Sequence, residues 1–287
     1  MTTFLVPTDF SANASVALQF AFHMAKEQQA KLLLLHVFNS PDGSALAPHQ
    51  IMGDERRWLQ EDCDKRLREM GVGLQQMGFF NYEYLAVEGA TVRCILEVAS
   101  EKNAQLIVMG TRGAGSIGAT FFGSNASHLI EKAKCPVLAI PAEVKPDLNI
   151  KRVCFASDYH QSDIACLQQL CEWIRPWQSQ LTCLHVSDQT VEVKQEVQLM
   201  TKYKEPVLAA VSYPNLAFQI LNNNDVGEAL LEYIEQGSAD LVVLSTHVRR
   251  FMDSLYNKSV ARSVSLHSRV PLLVFHHTAV ASVKLFV

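Results

Sequence analysis

The chain has 287 residues, 48% hydrophobic and 19% charged, with a formal charge of −4 at neutral pH. This is a globular composition with apolar surface for two ordinary cores, and its acidic balance leaves little of the counterion release that drives nucleic-acid binding. Nucleic acid is therefore not an expected partner, and neither is a membrane, since no apolar run reaches spanning length. The sequence goes straight into Phe4-Leu5-Val6 without a basic and apolar leader, so a cytoplasmic protein is expected. Seven cysteines without a C-x-x-C pair read as buried thiols rather than a disulfide framework. His276 and His277, adjacent on a strand, would face opposite ways, and no metal site is expected.

In chain order, Phe4–Val6 predicts a strand, and Ala14–Gln29 predicts a helix carrying Val16, Leu18, Phe20, Phe22 and Met24 among good helix formers. Leu32–Phe38 is a continuous apolar run, the pattern of a strand covered on both faces. Ser40–His49 is a loop with Pro41, Gly43 and Pro48, Asp54–Met77 a charged amphipathic helix, and Tyr82–Val87 a third strand. Thr91–Asn103 predicts a helix, Leu106–Met109 a strand, Asn125–Ala133 a helix and Pro136–Ile140 a fifth strand. Glu143–Asn149, with Lys145-Pro146-Asp147, reads as a linker.

The pattern then repeats. Phe4-Leu5-Val6-Pro7-Thr8-Asp9-Phe10 matches Val153-Cys154-Phe155-Ala156-Ser157-Asp158-Tyr159 at an offset of 149, from Asp9 to Asp158. Leu35-His36-Val37 keeps that offset against Leu184-His185-Val186. Further on, Leu106–Met109 matches Leu241–Leu244 and Cys135–Leu138 matches Val270–Leu273, both at an offset of 135. The second copy is thus shorter by 14 residues, the difference between 149 and 135, lost between its second and fourth strands. Alternating strands and helices in both copies give an α/β chain of two tandem domains, 1–143 and 150–287.

The chemistry concentrates after the fourth strand of the first copy. Met109-Gly110-Thr111-Arg112-Gly113 is followed by nine residues, Ala114–Phe122, and then by Gly123-Ser124 at a helix start. Gly110 and Gly113 would let the backbone turn and approach a ligand, with Gly115 and Gly118 keeping the loop pliable. Gly123 and Ser124 would offer helix N-terminal N–H groups to phosphate, Ser124 also serving as N-cap, with Arg112, Ser116 and Thr120 in reach. Asp9 and Val37 end the first and second strands at the same sheet edge. Asp9 could accept from a ribose hydroxyl or an adenine amine, and the Val37 backbone could read the adenine edge.

These residues resemble the universal stress protein family, whose ATP-binding members carry G-x-x-G, nine residues, then G-S or G-T. Gly110, Gly113, Gly123 and Ser124 fit that pattern, and the Pro7-Thr8-Asp9 turn, His36-Val37 and Cys135-Pro136-Val137 are similar to the family's. The likeness covers almost the whole chain as a tandem pair. It implies in each copy a Rossmann-like, five-stranded parallel-sheet sandwich of strand order 3-2-1-4-5. It also implies pairing through the fifth strands, here internal, with Pro136–Ile140 facing Pro271–Phe275. The implied ligand is ATP, ADP or AMP, with or without Mg²⁺. The implied binding set is Pro7, Thr8, Asp9, Val37, Met109, Gly110, Arg112, Gly113, Gly123, Ser124 and Asn125.

In the second copy Gly110, Gly113, Gly123 and Ser124 become Ser245, Val248, Lys258 and Ser259, while Pro7 and Thr8 become Ala156 and Ser157. Val248 disfavours the positive φ open to glycine, so this copy is not expected to bind ATP in the family's manner, although Asp158 survives. Arg249, Arg250 and Lys258 read as a solvated basic loop or as the holder of another anion.

No P-loop and no G-x-S-x-G elbow occur, and glutamates near the loop are scarce, so no catalytic residue is assigned. The leading expectation is a stress-response regulator that binds adenine nucleotide in its first domain only, with at most slow ATP hydrolysis or self-phosphorylation. A nucleotide-dependent enzyme and a ligand-free dimerisation scaffold are the alternatives, and the resemblance is compatible with a homodimer of tandem chains.

Overall fold

The computed structural model describes residues 2–39, 49–113, 123–144, 149–187, 193–245 and 269–276. The chain divides into two compact units, the first reaching Pro146 and the second beginning at Asp147. The first unit runs β1 (Thr3–Pro7), α1 (Ala12–Gln28), β2 (Lys31–Phe38), α2 (His49–Gln76), β3 (Tyr82–Glu88), α3 (Thr91–Glu101), β4 (Leu106–Gly110), α4 (Ser124–Lys132) and β5 (Val137–Ile140). Its strands are all parallel, in the order β3-β2-β1-β4-β5. This is the arrangement that the family likeness implied.

The second unit repeats the plan. It comprises β6 (Arg152–Ala156), α5 (Asp163–Ile174), a 3₁₀ turn (Arg175–Trp177), β7 (Gln180–Ser187), α6 (Val193–Ala210), β8 (Leu216–Asn222), α7 (Val226–Glu235), β9 (Leu241–Ser245) and β10 (Leu272–Phe275). Its parallel order is β8-β7-β6-β9-β10.

The apolar runs explain why these segments are strands. Leu32 to Leu35 are all at most 1% exposed, and Phe4, Leu5 and Val6 are fully buried, because a parallel strand needs helices on both faces. Ser11 starts α1 by accepting the Ala14 N–H, and Gln29 ends it in the left-handed conformation at φ 51°. The long helix begins at His49, five residues before the Asp54 expected from the charge pattern, because Gln50, Ile51 and Met52 extend it despite Gly53. The expected loop at 40–48 and the linker centre at 145–148 lie outside the described residues. Six of the seven cysteines are buried and Cys135 is half-buried, and burial pushes the Cys154 thiol up to about 12.

Parallel pairing places every strand's carboxyl end on one edge. In the first unit the chain leaves β1 for β2 on one side, then returns from β3 to β4 on the other, so the strand order reverses between β1 and β4. Those two strands pair at Phe4–Leu106 and Leu5–Ile107 and part beyond them, opening the crevice where such sheets take ligands.

Because each unit owns its core, Phe4→Ala should cost about 3–5 kcal/mol and speed amide exchange across β1, β2 and β4. Protection in β6, β7 and β9 should hold. Equal loss in both units would show that they unfold as one body.

Candidate functional site

The β1–α1 turn builds one wall of the crevice. Thr8 N–H donates to the Leu35 carbonyl (2.8 Å), Thr8 Oγ1 accepts from Phe10 N–H (3.0 Å), and Asp9 Oδ1 accepts from Ser11 N–H (3.0 Å). Phe10 takes a positive φ of 62° to close the turn. Asp9 thereby lies two residues beyond the end of β1, not on the strand itself, with its carboxylate turned into the crevice.

His36 holds the turn from β2. Its Nδ1 is 2.7 Å from the Thr8 carbonyl, which can only accept, so the ring proton is on Nδ1. Burial lowers the His36 pKa below the usual histidine range, against the opposing pull of that hydrogen bond. Phe10 lies on this ring with centroids 4.3 Å apart, and the Arg66 guanidinium from α2 sits 3.9 Å from the Phe10 centroid. Val37 follows. Along β2, Lys31 and Leu35 bond toward β1, while Leu32 and Phe38 bond the other way. The period of two therefore turns the Val37 peptide toward β1, beyond that strand's end at Pro7 and open to the crevice.

The opposite wall is the segment after β4, and the structure revises the role of its glycines. None of Gly110, Gly113 or Gly123 has a positive φ. What they provide is room. A Cβ on Gly113 would lie 2.8 Å from Asp9 Oδ2, one on Gly110 would lie 2.7 Å from the Asn13 side chain, and one on Gly123 would lie 3.2 Å from the Thr111 carbonyl. Space rather than backbone conformation is thus what these three positions require.

Asn13, which the sequence reading did not single out, is the bracket of this wall. It is 6% exposed, donates from Nδ2 to the Ile140 carbonyl (3.0 Å) and accepts the Arg112 N–H on Oδ1 (2.8 Å). It ties α1, β5 and the loop entrance together. Thr111 N–H also donates to the Ile140 carbonyl (3.0 Å), and Thr111 O accepts the Gly123 N–H at 2.6 Å, which closes the neck of the loop. Gly123, not Ser124, is the N-cap of α4, and Ser124 is its first helical residue. The first-turn N–H groups of α4 accordingly open beside the loop neck. Met109, 7% exposed, is the next-to-last residue of β4, and Asn125 follows Ser124 in that first turn. Arg112 forms an ion pair with Glu143, Nη2 to Oε1 3.0 Å. Residues 114–122, with Gly115, Ser116, Gly118 and Thr120, lie outside the described residues.

The second unit repeats the turn but packs different side chains on it. Ser157 N–H donates to the Leu184 carbonyl (2.9 Å), Ser157 Oγ accepts from Tyr159 N–H (3.0 Å), and His185 Nδ1 is 2.8 Å from the Ser157 carbonyl. Tyr159 has φ 63° and stacks on His185 at 4.1 Å. Here the ring is packed by Tyr203 of α6 at 5.2 Å instead of an arginine, and Glu196 pairs with His185 Nε2 at 3.2 Å. Where the first unit sets Asn13 against Gly110, the second sets fully buried Asp163 against Ser245. Asp163 accepts from Ser245 Oγ (2.8 Å) and Ser157 Oγ (2.7 Å). Burial raises the Asp163 pKa to about 6, partly offset by the two hydroxyls. Val248, Arg249, Arg250, Lys258, Ser259, His277 and the tail 279–287 lie outside the described residues. Among the described residues no cluster of His, Cys, Asp and Glu is placed to hold a metal ion, and no helix is long and apolar enough to cross a membrane.

The universal stress protein family model matches residues 1–141 and again 149–276. A universal stress protein of Thermus aquaticus is 32% identical over 143 residues, 48% of this chain and 97% of that protein. Universal stress protein YxiE of Bacillus subtilis is 31% identical over 143 residues, 47% of this chain and 96% of its own. Among solved structures, a universal stress protein from Archaeoglobus fulgidus superposes with a TM-score of 0.72 at 22% identity, covering 96% of this chain and 98% of its own. One from Pseudomonas aeruginosa gives 0.62 at 15%, covering 96% and 93%. At these identities the structures speak to the fold alone.

Two predictions follow from this geometry. Asn13→Ala should cost about 1–3 kcal/mol by stranding a buried donor and acceptor, and Gly110→Ser a similar amount, about 1–3 kcal/mol, by overpacking. The double variant should cost less than the sum, since one contact is lost twice; strict additivity in urea melts would show that Gly110 is not reserved for Asn13. In the second unit, Asp163 binds its proton more tightly folded than unfolded. Its contribution therefore favours folding most below the ordinary carboxylate pKa of 3.8, falls as pH rises to about 6, and is flat above. Asp163→Asn should flatten that descent in urea melts taken across the window.

Proposed function

We propose, for a chain that belongs to the universal stress protein family in both its halves, a stress-response regulator that binds an adenine nucleotide in its first unit. The observation that carries the reading is convergence: the Asp9 carboxylate, the Val37 peptide, the Gly110–Gly113 segment and the α4 N-terminus meet at the edge where the strand order reverses. The base would be read by Asp9 and the Val37 backbone, with Pro7 and Thr8 fixing the turn and Met109 forming the floor. Phosphates would lie at Gly113, Gly123, Ser124 and Asn125, where α4 presents unsatisfied N–H groups and the positive end of its dipole. The ligand is ATP, ADP or AMP, and any Mg²⁺ would be held by phosphate oxygens.

The domains are 1–143 and 150–287, and the second binds no nucleotide in this manner. The reading is supported by buried Asp163, which stands against Ser245 where the first unit sets Asn13 against Gly110. Hydrolysis or self-phosphorylation would be slow, since the chain carries no G-x-x-x-x-G-K-[ST] loop to organise it. The reading includes a cytoplasmic protein whose units pair through their fifth strands and whose tandem chains form a dimer.

Protein purified, denatured and analysed by chromatography should release one adenine nucleotide per chain. Gly113→Val, which drives a side chain against Asp9, should release almost none while keeping its circular dichroism. Two per chain would refute the single-site assignment. None, with a failed ATP titration, would leave a ligand-free scaffold.

A further inference from the structure

The pair Arg112–Glu143 stands at an unusual junction. Arg112 follows Thr111, whose carbonyl takes the Gly123 N–H at 2.6 Å, so its Cα is one residue from the mouth of α4. Its backbone is pinned by Asn13, but its guanidinium is held by Glu143 with both side chains partly exposed, 26% and 33%. Glu143 lies three residues beyond β5, in the turn closed by Val144 N–H to the Pro141 carbonyl (3.2 Å), on the segment that leaves the first unit. Solvent reaches both side chains of this pair, and a polyphosphate carries more charge than one carboxylate, so it can take the arginine from the glutamate.

Resting on the nucleotide reading of the crevice, we infer that Glu143 and the nucleotide's phosphates compete for Arg112, so that occupancy releases the Pro141–Val144 turn. Glu143 is a positioning residue. It parks the guanidinium beside the phosphate position and opposes phosphate charge, but it has no claim on the base. A phosphate-free ligand would leave the pair intact. A polyphosphate would break it and free the Pro141–Val144 turn.

Titration of the full chain with ATP and with adenosine tests this. Glu143→Gln should bind ATP about three- to fivefold tighter, the scale of one exposed ion pair, with adenosine unchanged. Arg112→Ala should weaken ATP, and adding Glu143→Gln to it should give no further gain. In wild type, amide exchange at 142–144 should rise on ATP but not on adenosine, and in Glu143→Gln it should already be fast. Unchanged ATP affinity in Glu143→Gln, or a turn that ignores ATP in wild type, would overturn the competition while leaving the nucleotide site standing. Failure of wild type to bind either ligand would overturn the site and the competition together.

Discussion

The whole arrangement depends on one constraint: a strand in an all-parallel sheet can be followed only by a crossover, so each strand's carboxyl end faces the same edge. In this chain the central strands are buried on both faces, which fixes the helices above and below and leaves the edge as the place where loops can diverge. Between β1 and β4 the crossovers run in opposite directions, and the crevice there needs no dedicated element to create it.

What the crevice becomes is decided by side-chain volume and hydrogen-bond capacity. In the first unit an amide, Asn13, can both donate and accept, so it bridges the β5 carbonyl and the loop N–H, and the missing Cβ of Gly110 gives it room. In the second unit a carboxylate stands against Ser245 and is satisfied by two hydroxyls instead. An ionised carboxylate cannot donate to a carbonyl, so the same bridge is not available to it. The two units thus share a backbone turn, down to the left-handed residue and the histidine beneath it, and differ in the polar group that faces the loop.

The aromatic contacts vary in the same way. The ring at the turn rests on histidine in both units, but α2 offers it a guanidinium whereas α6 offers Tyr203, which turns its own edge to Phe218. Arg66 brings a charge to the first ring, whereas Tyr203, 5% exposed, packs on the second as part of the core. The turn is preserved and the side chains packed on it are not, as a fold can keep its backbone while the groups it carries vary.

The sequence by itself determined the alternation of strand and helix, the duplication, and the glycine and helix-start spacing of the first loop. All of these are local periodicities or fixed offsets, legible without knowing what touches what. Only the tertiary structure decided why the glycines are glycines, since the neighbours that need their space, Asp9 and Asn13, come from the other end of the unit. It also decided the partner of Arg112, the cap of α4 and the bracket made by Asn13. The Asn13 contacts span 99 and 127 residues of chain. No pattern within a strand or a helix encodes a meeting at that separation; it follows from the order in which the sheet assembles its strands.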